Sequence, residues 1–191
     1  MKNKTFRFFI PVFILVFALI LSSCSNPVSY SVDKEHEEKI KVIYNMVTGL
    51  VKNDEELYLS TFEPDYIENV KKVVDTLGAQ YFDAESFDDL MTSFFFQNKE
   101  GLSVNYGDDV KVKLSFNSVE EASKDSLGAF IDDYSVSYKL PLDKIEEVAK
   151  VSVKLYIKGS VYEGSIDSNF ILLKLSDNGW RLHPESFLYA F

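Results

Sequence analysis

The chain has 191 residues, a formal net charge of −10, 16 Phe and 11 Tyr, but only one Cys and two His. An acidic field of that size repels polyanions, and no Lys/Arg cluster of the kind that makes a nucleic-acid footprint is present, so nucleic acid is excluded as an expected partner. A lone cysteine cannot build a disulfide framework, and His36 and His183 are too far apart in sequence to form a His-x-x-x-His metal pair. The fold must rest on apolar and aromatic packing, and no metal or cofactor is expected.

Lys2, Lys4 and Arg7 open the chain, an apolar run covers residues 8–21, and Ser22, Ser23 and Cys24 follow at once. The run is 14 residues long and contains Pro11. That is short of the about 20 apolar residues of a spanning helix and matches a secretory h-region. Basic start, apolar run and Leu21-Ser22-Ser23-Cys24, in that order, resemble the signal of bacterial lipoproteins. The resemblance implies cleavage of residues 1–23, a diacylglyceryl group on Cys24, and a place on the outer face of the bacterial cytoplasmic membrane. Two acyl chains hold where one binds marginally, because each buried methylene contributes about 0.8 kcal/mol. Loss of residues 1–23 removes three basic groups and no acidic ones, moving the charge from −10 to −13. This acidity disfavours anionic head groups and wall polymers as partners, except at a local basic patch. The turn-rich residues 24–32 read as a lipidated tether. Residues 33–191 read as a single domain, large enough to bury about 70% of its unfolded surface.

Ile40, Ile43, Val47, Leu50 and Val51 form one stripe of a first helix, with Glu35/Lys39 and Glu37/Lys41 as outer i,i+4 pairs and His36 on the charged face. Asn53 and Glu56 suggest a capping box that opens a short second helix through Leu57 and Phe62. Pro64 suits the first turn of a third helix. Its buried stripe would be Tyr66, Ile67, Val70, Val73, Val74 and Leu77, and Gly78 would stop it. Ser86 and Asp89 start a fourth helix with Phe87, Leu90, Met91, Phe94 and Phe95 inward, ended by Gly101. Val110, Val112, Leu114 and Phe116 then alternate with polar residues, as in a half-buried strand. Leu127, Phe130, Ile131 and Tyr134 return to helical spacing. Strands resume after Pro141 with Val151, Val153, Leu155 and Ile157, and a turn bracketed by Gly159 and Gly164 leads to a return strand over residues 166–175. Asn178-Gly179 signals a type I′ hairpin pairing Asp177 with Trp180, and Pro184 closes the last strand. Helices first and an antiparallel meander after them make an α+β domain.

That order, with IEEVAKVSVKLYIKG over residues 145–159 and FILLKLSDNGWRLHP over residues 170–184, resembles the nuclear transport factor two-like superfamily, a cystatin-like cone found in small lipoproteins of Gram-positive bacteria. The resemblance implies N-terminal helices packed on a curved antiparallel sheet, with a pocket between them. In ketosteroid isomerase and scytalone dehydratase relatives the pocket is catalytic; in others it serves binding or dimerisation.

In the catalytic relatives a buried carboxylate moves a proton and a tyrosine donates to the oxyanion. Tyr44, Tyr58 and Tyr66 are the candidate donors here and Asp167 the candidate base, although none stands in a family motif. Tyrosine on a helix face ordinarily fills core, and an aspartate beside a strand turn is ordinarily exposed. The acidic pairs Asp88-Asp89, Asp108-Asp109 and Asp132-Asp133 lack the spacing of a calcium loop. No nucleophile elbow, phosphate loop or dinucleotide fingerprint occurs. The expected function is therefore a noncatalytic module of the cell envelope, anchored through diacylglyceryl-Cys24, that binds a small apolar ligand or an envelope protein. A small pocket enzyme of the ketosteroid isomerase or dehydratase kind is the alternative. Candidate contacts for binding are Tyr156, Tyr162, Trp180 and His183, together with the apolar tail of residues 186–191. Exposed, that tail would be an adhesive patch, so it must dock either on its own domain or on a second copy of the chain in a homodimer.

Overall fold

The computed structural model describes residues 26–122 and 142–191. Cys24 with the signal before it, and the helical spacing of Leu127, Phe130, Ile131 and Tyr134, lie outside the described residues. The fold is α+β: helices pack into a strongly curled five-stranded sheet.

The first strand, β1 (Val28–Ser31), takes four of the residues read as a tether into the sheet. It is a sheet edge, and Val28 is buried. Two exposed serines and no longer apolar alternation hide so short a strand in the sequence. A 3₁₀ turn (Lys34–His36) leads into helix α1 (Glu37–Lys52). His36 is half-buried against Phe116, ring centroids 4.8 Å apart, and does not sit on a solvated helix face. Lys39 is also turned inward, to a buried position, and does not pair with Glu35. Asn53 closes α1 in the left-handed conformation, φ 58°, its N–H reaching the Gly49 and Leu50 carbonyls. The residue that caps the next helix, α2 (Glu55–Leu59), is Asp54, whose carboxylate accepts from the Leu57 N–H at 3.0 Å. The expected capping box was thus one residue early, because ending α1 required a left-handed residue that asparagine tolerates.

Helix α3 (Pro64–Tyr81) begins with Pro64 in its first turn and the Glu63 carboxylate accepting from the Tyr66 N–H at 2.6 Å. It runs through Gly78 without stopping. A Cβ at Gly78 would stand 2.5 Å from the Ala84 carbonyl oxygen, so the glycine serves close approach of the following loop. Helix α4 (Phe87–Tyr106) opens with the Ser86 hydroxyl accepting from the Asp89 N–H, as expected, and Asp75 of α3 accepts from the Phe87 N–H at 2.8 Å. It passes Gly101 and ends at Gly107, φ +84°. A glycine inside a helix costs only about 1 kcal/mol, which this long amphipathic segment absorbs.

The sheet continues with β2 (Lys111–Ala122), β3 (Ile145–Lys158), β4 (Glu163–Leu175) and β5 (Gly179–Leu182), in spatial order β1-β2-β3-β4-β5. β1 runs parallel to β2, and the other neighbours are antiparallel. Register shifts at Phe116/Ser118 and Ile145/Glu147 mark bulges, which bend a strand and increase its twist. The last hairpin pairs Leu175 with Gly179 and Lys174 with Trp180. A type I′ turn needs positive φ at both central residues, and here Gly179 has it while Asn178 does not. Val112, Leu114, Val153, Leu155, Ile157 and Phe170 face the helices and are buried, while Lys111, Lys113, Tyr156 and Lys158 face outward.

The tail docks on its own domain. Phe187 enters an aromatic cluster with Phe62 at 5.5 Å, Tyr66 at 5.8 Å and Phe87 at 6.5 Å. Tyr189 packs on Phe170 at 5.2 Å, and the Phe191 N–H donates to the Asn98 side chain at 3.3 Å.

Candidate functional site

The space between helices and sheet is filled. Tyr58, Phe62, Tyr66, Phe94 and Phe95 meet there with Phe187, and Tyr58 and Tyr66 are almost wholly inaccessible. Among the described residues, one cavity opens to one side, between α3 and the C-terminal segment. It is a cleft of about 750 Å³. Val70, Val73, Leu77 and Phe82 form the helical wall, and Phe187 and Leu188 the opposite one. Asn69, Lys72, Thr76 and Glu185 supply the polar groups at this site.

The sequence candidates do not converge. Tyr66 is among the residues lining the cleft, although it is almost wholly buried. Tyr58 is a core residue whose hydroxyl accepts from the Leu188 N–H, and burial pushes its ionisation far above the ordinary range. Tyr44 accepts a hydrogen bond from the Asn26 side chain and lies 4.9 Å from Tyr30, holding β1 on α1. Trp180 is buried beneath Lys39, whose Nζ stands 4.6 Å from the ring centroid and 3.0 Å from Glu121 Oε1. His183 is 1% exposed. Burial lowers its pKa to about 4, and Nδ1 accepts from the Glu185 N–H at 3.2 Å, so the neutral ring carries its proton on Nε2. Tyr156 and Asp167 are exposed on the outer sheet face, and Asp167 pairs with Lys154 at 3.4 Å. Asp167 therefore stands across the sheet from Tyr58 and Tyr66, too far to act with them on one substrate.

Several residues that line the cleft were read from sequence as buried core, Val73 and Leu77 among them. Val73 and Leu77 are 48% and 42% exposed, and Val74 alone of the stripe's C-terminal half is fully buried. No sequence signal separates them: all six apolar positions of α3 fall on one face of ordinary width. Among the described residues no group of His, Cys, Asp and Glu could hold a metal ion, and no helix is long and apolar enough to cross a membrane. Comparison with known proteins gives no matching family, no matching curated protein and no matching solved structure.

Proposed function

We propose that this chain is an extracytoplasmic lipoprotein, anchored through Cys24 to the outer face of the bacterial cytoplasmic membrane, that binds a small apolar ligand without transforming it. The scaffold in this reading is a nuclear transport factor two-like cone, supported by the order of four helices and a curled meander. The observation that carries the binding reading is the cleft between α3 and the C-terminal segment. Its about 750 Å³ falls within the range of small-molecule sites, and its walls combine many apolar side chains with few polar ones. A flat or elongated apolar molecule with one polar end suits it, the body against Val70, Val73, Leu77 and Phe82 and the polar end toward Lys72 or Glu185.

The test is titration of the full, detergent-solubilised chain with the neutral dye N-phenyl-1-naphthylamine. Saturable fluorescence enhancement at one site is expected, weakened about tenfold or more in Leu77→Asp because a charge placed in an apolar site must be desolvated. Leu77 is 42% exposed, so the variant keeps its fold. Enhancement that is absent, or indifferent to Leu77→Asp, removes the reading. Anchoring is tested separately: Cys24→Ser should move the protein from the membrane fraction to the soluble one.

A further inference from the structure

Cys24 stands two residues before Asn26, and two extended residues span at most about 7 Å. Asn26 and Pro27 line one edge of a shallow depression of about 550 Å³ on the outer sheet face, with Lys111, Lys113, Tyr156 and Lys158 around it. The Pro27 carbonyl accepts from the Val112 N–H at 2.8 Å, and Val28, Ser29, Tyr30 and Ser31 are laddered to Val112, Lys113, Leu114 and Ser115.

The depression is cationic in an otherwise acidic protein. Glu163 is its one acidic residue among those described, and it pairs with Lys158 at 3.2 Å. Lys111 and Lys113 are exposed and form no ion pair among the described residues. Asp167 holds Lys154, so the lysines here without an ion-pair partner among the described residues are Lys111 and Lys113, with Asp108 and Asp109 just before Lys111 in sequence. Beside it Tyr156 is 47% exposed, and the β3–β4 turn presents Val161 and Tyr162 at 79% and 60%. That turn is braced by the Tyr106 carbonyl, which accepts from the Val161 N–H at 2.9 Å. Lysines beside half-exposed aromatic rings suit the boundary between head groups and acyl chains.

We propose that this face is the surface by which the domain rests on the anionic head groups of the bilayer carrying its own anchor, an inference that depends on lipidation of Cys24. Each lysine near an anionic surface favours contact by about fivefold. The net charge of the chain does not oppose this, because screening confines the interaction to about 10 Å.

The full chain, purified in detergent, is reconstituted into phosphatidylglycerol/phosphatidylcholine vesicles containing a lipid with a nitroxide head group. A fluorophore on Ser165→Cys, at the depression, is compared with one on Gln80→Cys, on the exposed side of α3, and mass spectrometry records the state of Cys24. The label at 165 should be quenched clearly more than that at 80, and Lys111→Glu with Lys113→Glu, each lysine being worth about fivefold in contact, should bring the ratio toward one. Equal quenching at both positions in diacylated protein overturns the proposal and leaves the anchoring intact. A ratio unmoved by the double charge reversal overturns the role of the lysines. A Cys24 without lipid mass overturns the anchoring, and this inference with it.

Discussion

The Leu188 N–H donates to the Tyr58 hydroxyl at 3.0 Å, tying the short helix α2 to the final residues of the chain. Leu188 adopts φ 61°, a left-handed conformation that a leucine holds only when its surroundings fix it. The tail is thus part of the fold, and it forms one wall of the cleft.

Tyr58→Phe deletes the acceptor and leaves the packing, so it should cost about 1–2 kcal/mol in urea unfolding. Deleting residues 187–191 also removes the Phe187 ring from its cluster and should cost about 3 kcal/mol or more. Sedimentation of the shortened chain checks the other docking mode. Loss of stability in a protein that is monomeric before and after fits the intrachain seat, whereas dissociation of a stable dimer contradicts it.

Acid should weaken the protein through His183. Its folded pKa of about 4 lies below the ordinary 6.5, so the unfolded chain binds the proton more strongly. Stability then rises with pH between about 4 and 6.5, and up to about 3 kcal/mol is lost as pH falls through that window. Glu68 and Asp177, lowered by hydrogen bonds from Lys72 and Lys144, give up their contributions only below their ordinary values of 4.5 and 3.8. Thermal unfolding of wild type and His183→Asn across pH 4 to 7 checks this. The variant should show a clearly shallower slope above pH 4.5.

Gly78→Ala should destabilise, although alanine is the better helix former by about 1 kcal/mol. The added methyl meets the Ala84 carbonyl at 2.5 Å, and relieving that overlap should cost about 1–3 kcal/mol net. A more stable Gly78→Ala protein would mean that the loop after α3 moves freely away.

Trp180 is the sole tryptophan, so its emission reports on the Lys39 ammonium above it. Lys39→Met should change that emission and cost about 0.5–2 kcal/mol. Glu121→Gln removes the partner at 3.0 Å and leaves the ammonium over the ring, so its emission should stay close to wild type. Equal changes in both variants would show that the ring does not sense the cation.

The helices and long strands were legible because each buries one regular face: Ile40, Ile43, Val47 and Leu50 on α1, and Val151, Val153, Leu155 and Ile157 on β3. The ends were less so. Gly78 and Gly101 look like stops, but one serves a close approach and the other is tolerated within a long helix. β1 was hidden because its character comes from pairing with residues far along the chain, which no local period records. The cleft was hidden for a related reason. Val73 and Leu77 carry the same apolar signature as core residues, and only the packing of the tail decides that they are left half open.

Because β1 is laddered to Val112, Lys113, Leu114 and Ser115, the sheet's first strand cannot complete its backbone pairing until β2 has been synthesised. Contacts so distant in sequence close late and slowly. Folding therefore leaves Val28–Ser31 without a ladder partner until β2 is in place, and any delay in forming β2 prolongs the exposure of that unpaired backbone.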